Sequence, residues 1–384
     1  MIEKNGRVPA GGARPARSAA SRGGRAEVLA RRPGRSIMRD VAELAGVSAQ
    51  TVSRVINGHP YVATDTRQRV LAAMRALDYQ RNPAARALVT RRSGTLGIVG
   101  YESPLYGPTS MLYAIEGAAR AAGYFVSVAS VRHLDRRSVL DAVEWLRRQS
   151  VEGLIAIAPK TSMASALAQA TAGLACVTVG GGCSDAIPSA QIDNAGGARL
   201  ATRHLLDLGH ATVHHVAGPS DWPEAGERVY GWRDALQAAG APTPPVLPGD
   251  WSADAGYEQG KALARDRSVT AVFCASDQLA LGVLRALHEA GRRVPDEVSV
   301  VGFDGTPDGG HYLPPLTSVR QDFAELGRSS LGLLLSQLDR VGDTPILRRD
   351  LLLPELVIRS STAPVPGGDG PAEEVTPASP TPRD

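Results

Sequence analysis

The sequence predicts a small all-α helix-turn-helix headpiece followed by an α/β core of two doubly wound parallel-sheet lobes. Three observations carry this. Residues 39–79 hold short helical periods punctuated by Gly46 and the Asn-Gly-His-Pro stretch that ends at Pro60. From Ser93 to about residue 355, strand-like and helical runs alternate, the signature of parallel strands covered by helices. Charge is divided along the same line: residues 1–92 carry eighteen basic against six acidic groups, or +12, while the remainder carries −9, inside a total of only +3. One end of the chain is matched to a polyanion and the other is not.

The 384 residues, 43% of them hydrophobic, are enough for two or three domains at about 150 residues each. No stretch reaches the roughly 18 uncharged apolar residues that a membrane span needs. Charges and glycines stand where a secretory apolar region would be. A soluble, cytoplasmic protein with no membrane partner is expected. Cys176, Cys183 and Cys274 lack metal-ligand spacing and read as buried thiols.

Residues 1–35 are rich in Gly, Ala, Pro and Arg without an apolar period and are expected to form a disordered basic tail, with Met38 an alternative start. Residues 36–80 form the headpiece. Its first helix turns Val41, Ala42, Leu44 and Ala45 inward and ends at Gly46, which tolerates the left-handed conformation. Ser48 caps the second, where Val52, Val55 and Ile56 face the core. That leaves Ala49, Gln50, Ser53, Arg54 and Asn57 on the outer face, with Thr51 beside them. The third helix is expected to be capped by Thr64 and to pack through Val70, Leu71, Met74 and Leu77. Two helices, a tight turn and a polar outer face suit a DNA major groove. Gln pairs bidentately with adenine and Arg with guanine, each pair contributing about 1–3 kcal/mol of discrimination.

In the core, strands are expected at residues 96–99, 125–129, 154–158, 177–179, 213–217, 269–274 and 298–303. Helices are expected at 112–122, 139–148, 198–208, 230–239, 256–264 and 279–290. Four strands then three imply two lobes, with a ligand in the cleft beyond the strands' carboxyl ends. Residues 363–384 are Pro, Gly, Ser and Glu without an apolar repeat, a disordered tail that cannot form a coiled coil.

The motif Asp40-Val-Ala-x-x-Ala-Gly-Val-Ser-x-x-Thr-Val-Ser-Arg-Val-x-Asn57 resembles the signature of the lactose/galactose repressor family. The resemblance runs from Ile37 to Arg359. It implies a homodimeric transcriptional repressor on a pseudo-palindromic operator, with no cofactor and a periplasmic-binding-protein-like core that takes a small carbohydrate effector. DNA contacts would come from Ala49, Gln50, Thr51, Ser53, Arg54, Asn57, Tyr61 and Thr66. Residues 81–93 would be a hinge helix formed on operator DNA, with Ala85 at the DNA and Leu88 wedged into the minor groove. The first lobe would hold about 94–191 and 322–341, and the second about 192–321 and 342–362. The family's tetramers use a C-terminal leucine repeat that this tail lacks, so a dimer is expected.

Three segments resemble the family's lactose-type members: Gly249-Asp-Trp-Ser-Ala253, Ser276-Asp-Gln-Leu-Ala-Leu-Gly282, and Ser299 to Thr306 continuing through Leu313 to Phe323. They make Trp251, Ser276, Asp304 and Gln321 candidate effector contacts. Trp251 offers a flat apolar face to a sugar ring, and short polar side chains at strand ends meet hydroxyls. Arg228, just before Val229-Tyr-Gly-Trp232, stands where the family places a hydroxyl-binding arginine. Asp193 either caps the following helix or lines the cleft. Tyr101, Glu102 and Ser103 are first-lobe candidates. Ser276 and Gly180 depart from the lactose-type pattern, so the sugar itself stays open. Asp277 reads as a helix N-cap, Trp232 and Phe273 as core, and His214-His215 as a half-exposed pair with no metal role.

Two other classes weigh against this reading. A solute-binding transport protein shares the two-lobe core but needs an export signal and no DNA-reading headpiece. An enzyme needs a catalytic set, and neither a phosphate loop nor a GxSxG or HExxH motif is present. Within the family, the effector acts as inducer or corepressor; the sequence leaves the sign open.

Overall fold

A computed structural model gives the fold and describes residues 36–80, 92–133, 135–157, 162–181, 186–339 and 347–365. The headpiece comprises α1 (Met38–Ala45), α2 (Ala49–Ile56) and α3 (Thr64–Ala76). Gly46 ends α1 at φ 66°, where a side chain would be strained. The Ser48 hydroxyl accepts the Thr51 amide at 3.1 Å, satisfying one of the free donors that open α2. Val41, Ala42, Ala45, Val52, Val55, Val70 and Ala73 form the small core.

Three expectations for this unit are corrected. Leu44 and Leu71 are 49% and 43% exposed, because each lies one residue off the buried stripe of its helix. Ala73 takes the inward place between Val70 and Met74. Thr64 is the first residue of α3 rather than its cap; Ala63 holds the cap position, with no side-chain bond.

The rest of the chain forms a second unit built on two sheets. The first joins β1 (Thr95–Tyr101), β2 (Phe125–Val131), β3 (Gly153–Ile157), β4 (Ala175–Val179), β5 (Ser189–Ile192) and β10 (Arg349–Leu352) in the order β10-β5-β4-β3-β1-β2, all parallel. The second joins β6 (His214–Val216), β7 (Ala271–Cys274), β8 (Ser299–Asp304), β9 (Thr317–Arg320) and β11 (Glu355–Val357) in the order β11-β9-β8-β7-β6. Only the β11–β9 pair in it is antiparallel. Helices α4 (Tyr106–Ala121), α5 (Arg136–Arg148), α6 (Ser162–Ala170) and α11 (Phe323–Leu338) accompany the first sheet. Helices α7 (Asn194–Asp207), α8 (Pro223–Ala238), α9 (Ala253–Arg265) and α10 (Asp277–Glu289) accompany the second. The buried residues form separate apolar clusters in the two lobes, which is why each folds around its own sheet.

The chain passes between the lobes at Asp193, at Gln321-Asp322 and at Leu353-Pro354. The expected assignment of 342–362 to the second lobe is therefore corrected: Arg349 to Leu352 pair in register with Ser189 to Ile192 at the edge of the first sheet. The short strands β5, β9, β10 and β11, and helices α6 and α11, had no expectation. Strands of three or four residues carry too little alternation to stand out. The expected disorder is corrected for residues 363–365, where Ala363 and Val365 donate backbone bonds to Ser299 Oγ and to the Leu208 carbonyl; residues 1–35 and 366–384, the rest of the two expected tails, lie outside the described residues.

The pair at 214–215 is also corrected. His215 is fully buried, stacked on Phe273 at 4.7 Å, with Nδ1 2.9 Å from the Phe273 carbonyl oxygen. Trp232 and Phe273 are core, as expected. Cys176 and Cys274 are buried, and burial pushes the Cys176 thiol up to about 12 and Cys274 upward as well. Cys183 lies outside the described residues. No described helix is long and apolar enough to cross a membrane.

Candidate functional site

The second unit has a cleft where the carboxyl ends of strands from both sheets converge. The first lobe contributes Ile157, Val179, Gly180 and Ile192 from strand ends, and Leu105, Tyr106, Pro108 and Met111 from the start of α4. The second contributes Arg228, Ser276 and Asp304, with Trp251 before α9 and Gln321 after β9. A mostly apolar wall thus faces a small set of converging polar groups, the composition of a small-molecule site.

Arg228 is the centre of that polar set. It is 5% exposed, and its Nε donates to Asn194 Oδ1 at 2.9 Å. Nη1 lies 3.5 Å from Asp304 Oδ1 and also donates to the Ala275 carbonyl. The guanidinium stands 3.8 Å above the Phe303 ring and 5.3 Å from the Trp251 ring. Stacked and hydrogen-bonded, it is fixed before any ligand arrives.

Asp304 ends β8 in the left-handed region at φ 106°, a conformation that costs of order 1–3 kcal/mol and persists only where its surroundings enforce it. Gln321 Nε2 donates to it at 2.7 Å. Burial pushes its carboxyl up to about 7, against the pull of Arg228 and with the repulsion of Asp277. Trp251 is likewise left-handed, at φ 71°, and its six-membered ring packs against Gly218 so closely that a Cβ there would lie 2.3 Å away.

The N-cap expectation at α10 shifts by one residue. Ser276 accepts the Leu279 amide at 3.2 Å and so combines capping with a place in the cleft wall. Asp277 instead turns to the neighbouring loop, accepting the Thr306 amide at 2.7 Å and the Ser318 hydroxyl at 2.6 Å. That bracing holds the turn that follows Asp304. Asp193 caps α7, accepting the Gly196 amide at 2.7 Å, and is not among the cleft-lining residues. Its neighbour Asn194 is.

Tyr101 and Ser103 lie outside the lining as well. Tyr101 meets Trp222 edge-on at 6.3 Å, and the Ser103 hydroxyl accepts the Leu105 amide at 3.2 Å. Glu102 pairs with Arg132 at 2.8 Å. The first lobe instead reaches the cleft through the apolar turn after these residues. Asn194, Trp222, Glu224 and Gln278 were missed; each sits one to six residues from a residue singled out in the sequence, but only the fold aims it inward.

The headpiece presents a second surface. Thr51, Arg54, Tyr61 and Thr66 surround a hollow between α2 and the start of α3, with Ser48, Val62 and Ala63. Tyr61 is 88% exposed. Ala49, Gln50, Arg54 and Asn57 are exposed and Ser53 half-buried, so the polar outer face exists as a surface. Ala85 and Leu88 lie outside the described residues. Among the described residues, no group of three or more His, Cys, Asp or Glu is arranged to hold a metal ion.

Residues 37–82 match the model for bacterial regulatory proteins of the lacI family, and residues 202–362 that for a periplasmic binding protein-like domain. The chain is 35% identical over 333 residues to the lactose operon repressor of Escherichia coli K12, covering 85% of this chain and 90% of that protein. It is 36% identical over 336 residues to the transcriptional regulator CelR of Thermobifida fusca, covering 84% and 96%. Two solved structures are similar in fold. The Lac repressor dimer bound to operator and the anti-inducer ONPF has a TM-score of 0.77 at 35% identity, covering 86% of this chain and all of that one. A CelR–cellobiose complex has a TM-score of 0.62 at 33% identity, covering 85% and 100%.

Proposed function

The chain belongs to the lacI family of bacterial regulatory proteins, DNA-binding regulators of transcription, and we propose that it is a repressor released from its operator by a small sugar or glycoside. The observation that carries the effector half of this reading is the Arg228–Asp304 pair in the second-lobe wall of the cleft, with the guanidinium 5.3 Å from the Trp251 ring. A fixed guanidinium beside a carboxylate suits vicinal hydroxyls, and an indole face suits the apolar side of a sugar ring. The relatives' ligands, cellobiose among them, support the same class.

On DNA, α2 enters the major groove, with Gln50 and Arg54 reading base edges. Ala49, Thr51, Ser53, Asn57, Tyr61 and Thr66 complete the contact surface. Leu88 enters the minor groove beside Ala85, and a homodimer places two such headpieces on the two half-sites of a pseudo-palindrome. The protein acts in the cytoplasm and requires no cofactor. Regulation is linkage: a sugar preferred by one arrangement of the lobes shifts the population toward it, and operator affinity changes by the same coupling free energy.

A gel-shift titration on the protein's own promoter with a panel of sugars tests this. The expected result is release by at least one sugar. A sugar that tightens binding reverses the sign to corepression, and no response to any sugar removes the effector half. Light scattering is expected to give a dimer; a tetramer contradicts it.

A further inference from the structure

Glu224, the second residue of α8, lines the cleft from the second lobe. Its Oε1 accepts the amide of Gly181 at 2.8 Å, a first-lobe residue just beyond β4. Pro223 and the Glu224 carboxyl crowd Gly181 so closely that a Cβ there would lie 2.8 Å from Pro223 Cβ. The other carboxylate oxygen, Oε2, is buried with no hydrogen-bond partner. A buried acceptor left unsatisfied costs about 1–3 kcal/mol, and more for a charged group, so a ligand that supplies the donor recovers that cost.

The charges around it decide which donor. Among the groups lining the cleft, Arg228 is balanced by Asp304, and Glu224 is an additional acid. Glu227, three residues on in α8, is a further acid, and burial pushes both carboxyls up, which marks this as a place where negative charge is already costly. A ligand phosphate or carboxylate entering here meets an acid in a poorly solvated place. Trp251, also in the second-lobe lining, has its Nε1 buried without a partner as well, and it is a donor. An amine satisfies only the acceptor. A hydroxyl both donates and accepts, so a ligand rich in hydroxyls answers both.

We propose that Glu224 is a specificity-determining residue that accepts a hydroxyl of an uncharged polyhydroxy effector and bars sugars that carry a phosphate or carboxylate. The inference rests on the sugar reading above and narrows it. Because the same carboxylate holds the Gly181 amide, the ligand meets both lobes at one side chain, where it bears on their relative arrangement.

The test is a titration of the full-length protein followed by tryptophan fluorescence, since Trp222 and Trp251 line the cleft. The probes are glucose, galactose, cellobiose and lactose against glucuronate, galacturonate, glucose 6-phosphate and galactosamine. The best neutral sugar is expected to bind at least about tenfold more tightly than its acidic counterpart, and galactosamine no better than galactose. The near-isosteric Glu224→Gln is expected to narrow the neutral-to-acid ratio to within about threefold, because it removes the charge and keeps the volume. An acidic sugar that binds the unmodified protein as tightly as its neutral counterpart overturns the proposal and leaves the sugar reading standing, as does an unchanged ratio in Glu224→Gln. Binding of none of these probes overturns both.

Discussion

Arg228 and Asp304 form a buried ion pair at 3.5 Å, and each is held by an amide from a different segment: Asn194 at the start of α7 on the arginine, and Gln321 after β9 on the aspartate. Both amides stand where the chain passes between the lobes. The pair is therefore coupled to the crossings that any change in lobe arrangement must bend.

Arg228→Ala is expected to abolish the response to sugar while retaining operator binding, because the headpiece lies elsewhere in the chain. It also leaves Asp304 buried without its cation, a loss of about 3–5 kcal/mol. Urea denaturation checks the second effect and gel shift the first. The double variant Arg228→Ala with Asp304→Asn should recover part of the stability, since the uncompensated charge is gone, yet stay blind to sugar.

Stability should depend on pH through two buried groups of opposite sign. Asp304 is pushed up to about 7, so between about pH 4 and pH 7 the folded chain holds a proton that the unfolded chain has released. Its contribution falls as pH rises through that window. Burial draws His215 down to about 4, so it stays neutral in the fold while the unfolded imidazole protonates below about 6.5. Its contribution is lost as pH falls from there toward 4. Urea midpoints across this range should show Asp304→Asn relatively more stable than the unmodified protein near pH 7, and His215→Leu relatively more stable near pH 4. Parallel profiles would refute both.

Arg54→Ala is expected to weaken operator affinity by about 1–3 kcal/mol and to relax sequence preference at one base pair of each half-site. A uniform loss across all sequences, measured by competition with operator variants, would make Arg54 a phosphate contact instead. Ser48→Ala removes the α2 cap and is expected to cost about 1 kcal/mol of headpiece stability, read as a lower melting temperature.

Gly282→Ala should be among the most damaging substitutions outside the cleft lining and the headpiece surface. A Cβ at Gly282 would lie 2.0 Å from the Ala253 carbonyl oxygen, and one at Gly256 would lie 2.1 Å from that of Leu279. Helices α9 and α10 thus meet backbone to backbone. Overpacking there is expected to cost at least about 1–3 kcal/mol, visible as a lowered melting temperature. Gly226→Ala, where nothing stands within 4 Å, is the control and should melt as the unmodified protein does.

The headpiece was legible because its signals are local. Ser48, Gly46 and the spacing of Val52 and Val55 act within a turn or two of chain, so pattern alone orders α1 and α2. The alternation of strands and helices was legible for the same reason, and the resemblance pointed to Arg228, Trp251, Ser276, Asp304 and Gln321, which line one cleft. The division of charge needs one refinement. Residues 36–80 hold five arginines against four acids, and the other four basic groups of residues 36–92 are Arg81, Arg86, Arg91 and Arg92, in and beside the linker. Only the tertiary structure decided which neighbour of a recognised residue turns inward: Asn194 rather than Asp193, and Ser276 as the cap with Asp277 as the brace. It also decided that β10 returns to the first sheet and that Glu224 reaches Gly181 across the cleft. The two caps at Ser276 and Asp193 are local, but the contacts that turn Asn194, Asp277, β10 and Glu224 to their places join segments about 29 to 160 residues apart, fixed by packing and buried hydrogen bonds, and no local period in the sequence encodes them.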